Sequence, residues 1–172
     1  MIIRKIREND AEQFLNLCKK LDVETQFMMF EPGERKTTPD EQRTQIEILL
    51  KQENQTIFVA EQDNRLVGYL AAYSGEFQRN RHSAYLVIGI LQAFTGQGIG
   101  TQLFQTLGKW TQQQQIHRLE LTVMTHNTAA IALYKNQGFA IEGTKRHSLL
   151  IDGHFVDEYY MAKLLTQPSL ST

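Results

Sequence analysis

The sequence contains a single cysteine, Cys18, so no disulfide bond can form within the chain. Cys18 lies on an apolar helical face with Phe14 and Leu21, which favours a buried thiol over a reactive one. Neither His147 nor His154 has a third partner at the spacing typical of metal ligands, and the lone cysteine adds none. We therefore predict that the chain holds no metal.

The sequence also lacks a long apolar run and an excess of charge of either sign. No stretch approaches the roughly 20 apolar residues of a membrane span, and "MIIRKIREND" has no signal-peptide core. The 18 basic and 19 acidic residues give a net charge of -1, whereas nucleic-acid binders usually have a basic surplus. We expect no membrane or nucleic-acid partner and a cytoplasmic location.

Proline is scarce too, with 3 in 172 residues, and no proline- or glycine-rich linker divides the chain. The length suits one domain. Hydrophobic residues make up 41% of the chain and charged residues 22%, which is typical of a globular protein. The sequence thus predicts a single domain over 1–165, followed by a flexible tail at 166–172.

Hydrophobic periodicity predicts the element order β α α β β β α β α β β. The second helix has a clear start, since Thr38, Pro39 and Glu41 form a capping box with proline at the first position. We expect Ile46, Leu49 and Leu50 to face inward from it. "DN" joins two strands as a hairpin, and the nearly all-apolar "SAYLVIGIL" suits a central strand. The fold class is α/β, or mixed α+β.

The most informative stretch is "FTGQGIGTQLF", in which three glycines precede an amphipathic helix. Thr101 stands where a P-loop needs lysine, and Gly96-Gln97-Gly98-Ile99-Gly100 is one residue tighter than a dinucleotide-binding fingerprint. Glycines still let backbone N–H groups approach an anion, and a helix start adds a positive dipole end. Residues 96–101 could therefore bind a pyrophosphate, or they could form only a turn.

This stretch resembles the acetyl-coenzyme A loop of the GCN5-related N-acetyltransferases, Gln/Arg-x-x-Gly-x-Gly/Ala. The matching residues are 95–100, with Thr95 in place of the usual Gln or Arg. A second segment, "NTAAIALYKNQGF" at 127–139, is similar to the family's Asn-x-x-Ala-x-x-x-Tyr-x-x-x-Gly-Phe. The element order also fits the family across about residues 1–165. Two motifs in the right order identify the chain as a member of this family.

The resemblance implies a mostly antiparallel twisted sheet of about seven strands, with a splayed parallel pair and about four flanking helices. It implies transfer of an acetyl group from acetyl-coenzyme A to a primary amine, on a small molecule or a peptide N-terminus. A homodimer is common in the family.

The resemblance also assigns site residues. The strand before the glycine loop would contact the pantetheine arm and thioester through its backbone, and Gly89 would mark a bulge there or merely admit a close-packed neighbour. Asn127 would bind the pantetheine arm or only cap its helix, and Tyr134 would be the general acid. The implied coenzyme contacts are Ile88, Gly89, Ile90, Thr95, Gly96, Gln97, Gly98, Ile99, Gly100, Thr101, Asn127 and Tyr134.

The general base is less defined by the sequence. Glu31 is our first candidate, because an acidic residue in the loop that shapes the acceptor pocket would also attract an ammonium group. Glu34, His82, Tyr85 and His126 are alternatives, and ordered water could serve instead.

Two other functions remain open at this point. A nicotinamide-dependent oxidoreductase would need a better Gly-x-Gly-x-x-Gly than this chain has. A non-catalytic acyl-coenzyme A sensor on the same fold would bind the coenzyme without turnover, and Tyr134 argues mildly against it.

Overall fold

The computed structural model describes residues 1–166, so positions 167–172 of the expected tail lie outside the described part. Within that part the helices and strands follow the predicted order. They are β1 Ile2–Lys5, α1 Ala11–Glu24, α2 Pro39–Leu50, β2 Gln55–Gln62, β3 Arg65–Ser74, β4 Ser83–Ile90, α3 Ile99–Gln113, β5 Arg118–Met124, α4 Thr128–Asn136, β6 Ala140–Ile151 and β7 His154–Leu164.

The described strands form one seven-stranded sheet in the order β1-β2-β3-β4-β5-β7-β6. Neighbouring strands are antiparallel except β4 and β5, which are parallel. A parallel pair needs a crossover, which α3 provides here. The mixed fold, the seven strands and the single parallel pair confirm the expected fold class.

Local sequence signals account for several boundaries. Thr38 accepts a hydrogen bond from the Glu41 N–H at 3.2 Å, and the Glu41 carboxylate accepts one from the Thr38 N–H at 2.8 Å, which completes the capping box. Asp63 and Asn64 have φ values of 50° and 60°. Two consecutive positive φ angles suit the tight turn that joins a hairpin with the normal strand twist.

The helices cover both faces of the sheet. A Cβ added to Gly89 of β4 would lie 2.7 Å from Leu21 of α1, whereas a Cβ added to Gly100 of α3 would lie 3.6 Å from Ile90 of β4. Adjacent strand residues point to opposite faces. Thus α1 and α3 pack on opposite faces, with β4 between them.

The core contains the residues expected from the sequence, with one exception. Cys18, Ile46 and Leu49 are buried. Leu50 is 42% exposed, so the prediction that it faces inward is wrong. It is the last residue of α2, and the packed face of that helix ends at Leu49. In the described residues, no helix is both long and apolar enough to cross a membrane.

Candidate active site

A gap opens between the two parallel strands at the centre of the sheet. β4 and β5 pair only at Ser83–Arg118, Ala84–Leu119 and Tyr85–Glu120. Beyond Tyr85, β4 remains paired with β3 and β5 remains paired with β7. One edge of β4 therefore faces an opening rather than a neighbouring strand.

The backbone of β4 presents hydrogen-bond donors to this gap. The Leu91 N–H donates to the Val67 carbonyl at 2.9 Å, while the His82 carbonyl accepts from the His117 N–H at 2.8 Å. Along a strand, successive residues direct their backbone groups to opposite sides. Odd-numbered positions therefore face β3, and the N–H groups of Ile88 and Ile90 face the gap.

Gly89 has a packing role. Its register with β3 continues without a shift, with Tyr69 opposite Gly89 and Leu70 opposite Ile88. The pairing of β4 with β3 thus contains no bulge at Gly89. An added Cβ would lie 2.7 Å from Leu21 and 3.0 Å from Tyr69. Glycine is needed because α1 and β3 side chains press onto the bare backbone here, which is the alternative reading of this residue.

The glycine loop leads from β4 into α3. Gly96 and Gly98 have φ values of 72° and 78°, in the left-handed region that favours glycine, and a Cβ at either would meet nothing within 4 Å. Gly98 is the N-cap of α3 and supplies no capping side chain. The first N–H groups of a helix have no intrahelical acceptors. The loop thus presents backbone N–H groups to open space, beside the positive end of a helix dipole.

Most side chains of this loop either bond to nearby backbone carbonyls or are buried. Thr95 donates its hydroxyl to the Gln92 carbonyl at 2.8 Å, and Gln97 donates its amide to the Ala93 carbonyl at 3.1 Å. Ile99 and Gly100 are buried, and Thr101 is partly buried. Any anion held here would therefore be bound chiefly through backbone N–H groups.

Gly100 also sets the spacing of the two helices beside the gap. An added Cβ would lie 2.8 Å from Leu133 of α4.

Asn127 caps α4, accepting from the Ala130 N–H at 3.3 Å through its side-chain oxygen. The capping role is therefore confirmed, and it leaves the amide nitrogen of Asn127 available to a ligand.

Tyr134 is held rigidly on α4. It is 6% exposed, and its ring meets those of Phe104 and Phe139 at centroid distances of 6.1 Å. Burial raises the pKa of its phenol above the ordinary value, and the nearby Tyr85 adds to the effect. Tyr134 thus stays protonated across the physiological range and can donate a proton.

The candidate bases lie in different parts of the molecule. Glu31 and Glu34 are exposed in the α1–α2 loop, where the Glu34 carboxylate accepts from the Glu31 N–H at 2.9 Å. His82 lies beside His117 at the closed end of the gap, with ring centroids 6.4 Å apart. Tyr85 shares a hydrogen bond of 2.8 Å with Thr122 of β5.

Some contacts around the gap could not be found from local patterns. The Phe27 and His126 rings lie 5.2 Å apart, so the α1–α2 loop rests on the segment that begins α4. Gln26 donates to Asp152 at 2.9 Å and joins the same loop to the β6–β7 turn. Thr122 was also missed as a partner of Tyr85. The separations along the chain are large, and no short motif signals them.

No metal site accompanies these groups. Across residues 1–166, no cluster of three or more His, Cys, Asp or Glu side chains has a geometry that could hold a metal ion. The groups described around the gap offer hydrogen-bond donation, proton transfer and anion binding by backbone N–H groups.

Comparison with known proteins gives consistent results. A family model described as the acetyltransferase (GNAT) family matches residues 20–139. An L-amino acid N-acetyltransferase of Escherichia coli, AaaT, is 34% identical over 106 residues, covering 59% of this chain and 64% of that protein, just under two thirds of its length.

Solved structures are similar over nearly the whole chain. A GNAT-family acetyltransferase from Streptococcus pneumoniae has a TM-score of 0.92 at 29% identity, covering 96% of this chain and 99% of its own. A structure of yncA from Salmonella typhimurium, with its cofactor acetyl-CoA, has a TM-score of 0.86 at 18% identity, covering 100% and 98%. At that identity the second likeness concerns the fold.

Proposed function

This chain belongs to the acetyltransferase (GNAT) family, and on that premise we propose that it transfers an acetyl group from acetyl-coenzyme A to a primary amine. The acceptor would be a small molecule or a peptide N-terminus, attacking the thioester directly. The observation that carries this proposal is the gap between β4 and β5, together with the glycine loop that follows β4 along the chain.

The residues at the gap fit the donor molecule. The open space at Gly96 and Gly98, together with unpaired N–H groups at the start of α3, suits a pyrophosphate. The free amide nitrogen of Asn127 and the N–H groups of Ile88 and Ile90 suit the carbonyl-rich pantetheine arm. Bound acetyl-coenzyme A supplies the thioester carbonyl that the amine attacks.

The same backbone donors would assist the chemistry. As the nitrogen–carbon bond forms, negative charge develops on the thioester oxygen, and N–H groups of β4 are fixed in position to stabilise it. Donors that are already oriented need no rearrangement at that moment. The rigid pairing of β4 with β3 holds them in place.

Tyr134 would complete the transfer as the general acid. When the carbon–sulfur bond breaks, its phenol donates a proton to the departing sulfur, whose parent thiol has a pKa of roughly 8–9 by analogy with cysteine. The raised pKa of Tyr134 keeps that proton in place beforehand. Glu31, or ordered water, would take the proton that the attacking amine loses.

Titration and turnover test the proposal. Isothermal titration should give micromolar binding of acetyl-coenzyme A and none of NADH or NADPH, and a screen of amines should release the free thiol. Binding without turnover on any amine would favour the sensor alternative. Failure to bind acetyl-coenzyme A would contradict the proposal. A homodimer also stays a prediction, which light scattering of the purified chain tests.

A further inference from the structure

A cavity of about 390 Å³ lies between the sheet and helices α1 and α2, on the face of β4 that these helices cover. Its apolar wall comes from both helices and from β2 and β4, through Phe14, Ile46, Leu49, Ile57 and Val87. Pockets of roughly 300–1,000 Å³ typically receive small molecules. Nothing assigned so far to the coenzyme uses this space.

The cavity and the gap share strand β4. Val87 lines the cavity, and the N–H of the next residue, Ile88, faces the gap. Tyr73, another wall residue, lies opposite Tyr85 in the register, and Tyr85 reaches Thr122 across the closed end of the gap. A molecule attacking a thioester in the gap could therefore extend one part of itself into the cavity.

The wall of the cavity carries no free charge. Arg35 is its one charged residue, and its Nε and Nη2 donate to the two carboxylate oxygens of Asp22, at 2.7 and 3.0 Å. Asp22 itself is 2% exposed. The guanidinium also lies 4.3 Å from the centre of the Phe30 ring. The positive charge of Arg35 is thus already paired with the carboxylate of Asp22.

The remaining polar wall groups are neutral. Burial raises the pKa of the Cys18 thiol to about 11 and raises the pKa values of Tyr69 and Tyr73 above the ordinary phenol value. Gln42 is 6% exposed and contributes an uncharged amide. Burying an unpaired charge against such a wall is costly, whereas burying apolar area is favourable.

We propose that this cavity receives an uncharged, apolar or aromatic side chain of the acceptor amine, while the amine itself reaches the gap. The inference rests on the proposed function and narrows its substrate class. It favours amines such as apolar amino acids or peptides that begin with them. Polyamines and aminoglycosides are disfavoured, because a second ammonium would find no unpaired carboxylate on this wall.

Direct binding tests the inference without requiring turnover. We would titrate phenylalaninamide and spermidine into the protein, with and without saturating coenzyme A, by isothermal calorimetry. Phenylalaninamide should bind at least about tenfold more tightly, since burying one large apolar side chain supplies at least that factor. Phenylalanine and a peptide beginning with phenylalanine distinguish a free amino acid from an N-terminus, and binding of either supports the proposal.

Two tryptophan variants on α2 provide the matched comparison. Ile48 lines the cavity and is 56% exposed, so Ile48→Trp can fill the space from the rim without disturbing the core. Leu50 is 42% exposed on the same helix and does not line this cavity. We expect Ile48→Trp to weaken phenylalaninamide binding about tenfold or more and Leu50→Trp to leave it nearly unchanged.

The outcomes separate the two proposals. Tighter binding of spermidine, no binding of any phenylalanyl compound, or equal effects of the two tryptophan variants would overturn the cavity assignment. Acetyl-coenzyme A titration of the same samples reports on the proposed function independently. Its binding alongside a failed amine titration would remove only the cavity assignment.

Discussion

The clearest single test of the chemistry is the substitution Tyr134→Phe, which removes one oxygen atom. The ring contacts with Phe104 and Phe139 remain, at the same 6.1 Å centroid distances, because phenylalanine keeps the ring. The hydroxyl makes no hydrogen bond to the described residues. Because that hydroxyl has no partner among the described residues, its loss breaks no hydrogen bond there, and the free energy of unfolding should change by less than about 0.5 kcal/mol.

The effect on turnover should be much larger. A positioned general acid typically contributes about 10²–10⁴-fold, which corresponds to roughly 3–5 kcal/mol in the activation free energy. We expect kcat to fall by at least about 10²-fold, while the dissociation constant for acetyl-coenzyme A changes less than about threefold. The assay follows thiol release with a colorimetric reagent, with calorimetry for binding and thermal melting for stability.

The pH profile adds an independent check of the same residue. The acid acts in its protonated form, and burial raises its pKa above the ordinary value of about 10. The wild-type rate should therefore rise as the amine loses its proton and should not fall again below about pH 10. Tyr160→Phe, at a tyrosine that is 47% exposed, is the control for losing a phenol elsewhere. Unchanged kcat in Tyr134→Phe, or a loss equal to that of Tyr160→Phe, would refute the assignment.

Three further predictions address the glycine loop, the candidate general base Glu31 and the stability of the fold. Gly98→Val forces a β-branched residue to a φ of 78° and should weaken coenzyme binding about tenfold or more, measured by calorimetry, whereas Gly108→Ala should bind normally. Glu31→Gln should lower kcat/KM for the amine with coenzyme affinity unchanged, and an equal loss in E34Q would point to the charge of the loop instead. Burial favours a higher pKa for Asp10, but hydrogen bonds from Arg4 and Arg7 outweigh it and hold the pKa below 3.8. Its contribution to stability is thus present above that pH and lost below it, so Asp10→Asn should lower the melting temperature at neutral pH and match the wild type in acid.

The sequence predicts well those features that depend on neighbours along the chain. The capping box of α2, the Asp63–Asn64 turn and the cap at Asn127 each follow from a few consecutive residues with known backbone preferences. The element order follows from hydrophobic periodicity for the same reason. The glycine loop and Tyr134 were proposed as site residues through spaced motifs, which a single sequence also displays.

The sequence does not predict features that depend on distant contacts. Gly89 packs against Leu21 and Tyr69, yet its surroundings in the chain suggested a bulge equally well. Leu50 fits the helical pattern but falls where the buried face has ended. The cavity under α1 and α2 arises where residues from four separate elements meet. No local pattern encodes how closely such elements approach one another.

The short β4–β5 pairing has a consequence for how the molecule moves. Three residue pairs join the strands β1–β4 to the strands β5–β7. The sheet thus consists of two well-paired parts, β1–β4 and β5–β7, joined by a short stretch of hydrogen bonding. Amide hydrogen exchange at this junction should be faster than within either part. A molecule bound in the gap would supply the hydrogen bonds that β4 and β5 do not make to each other, and so would hold the two parts of the sheet together. Its binding would then slow amide hydrogen exchange in both parts of the sheet, including strands that it does not contact.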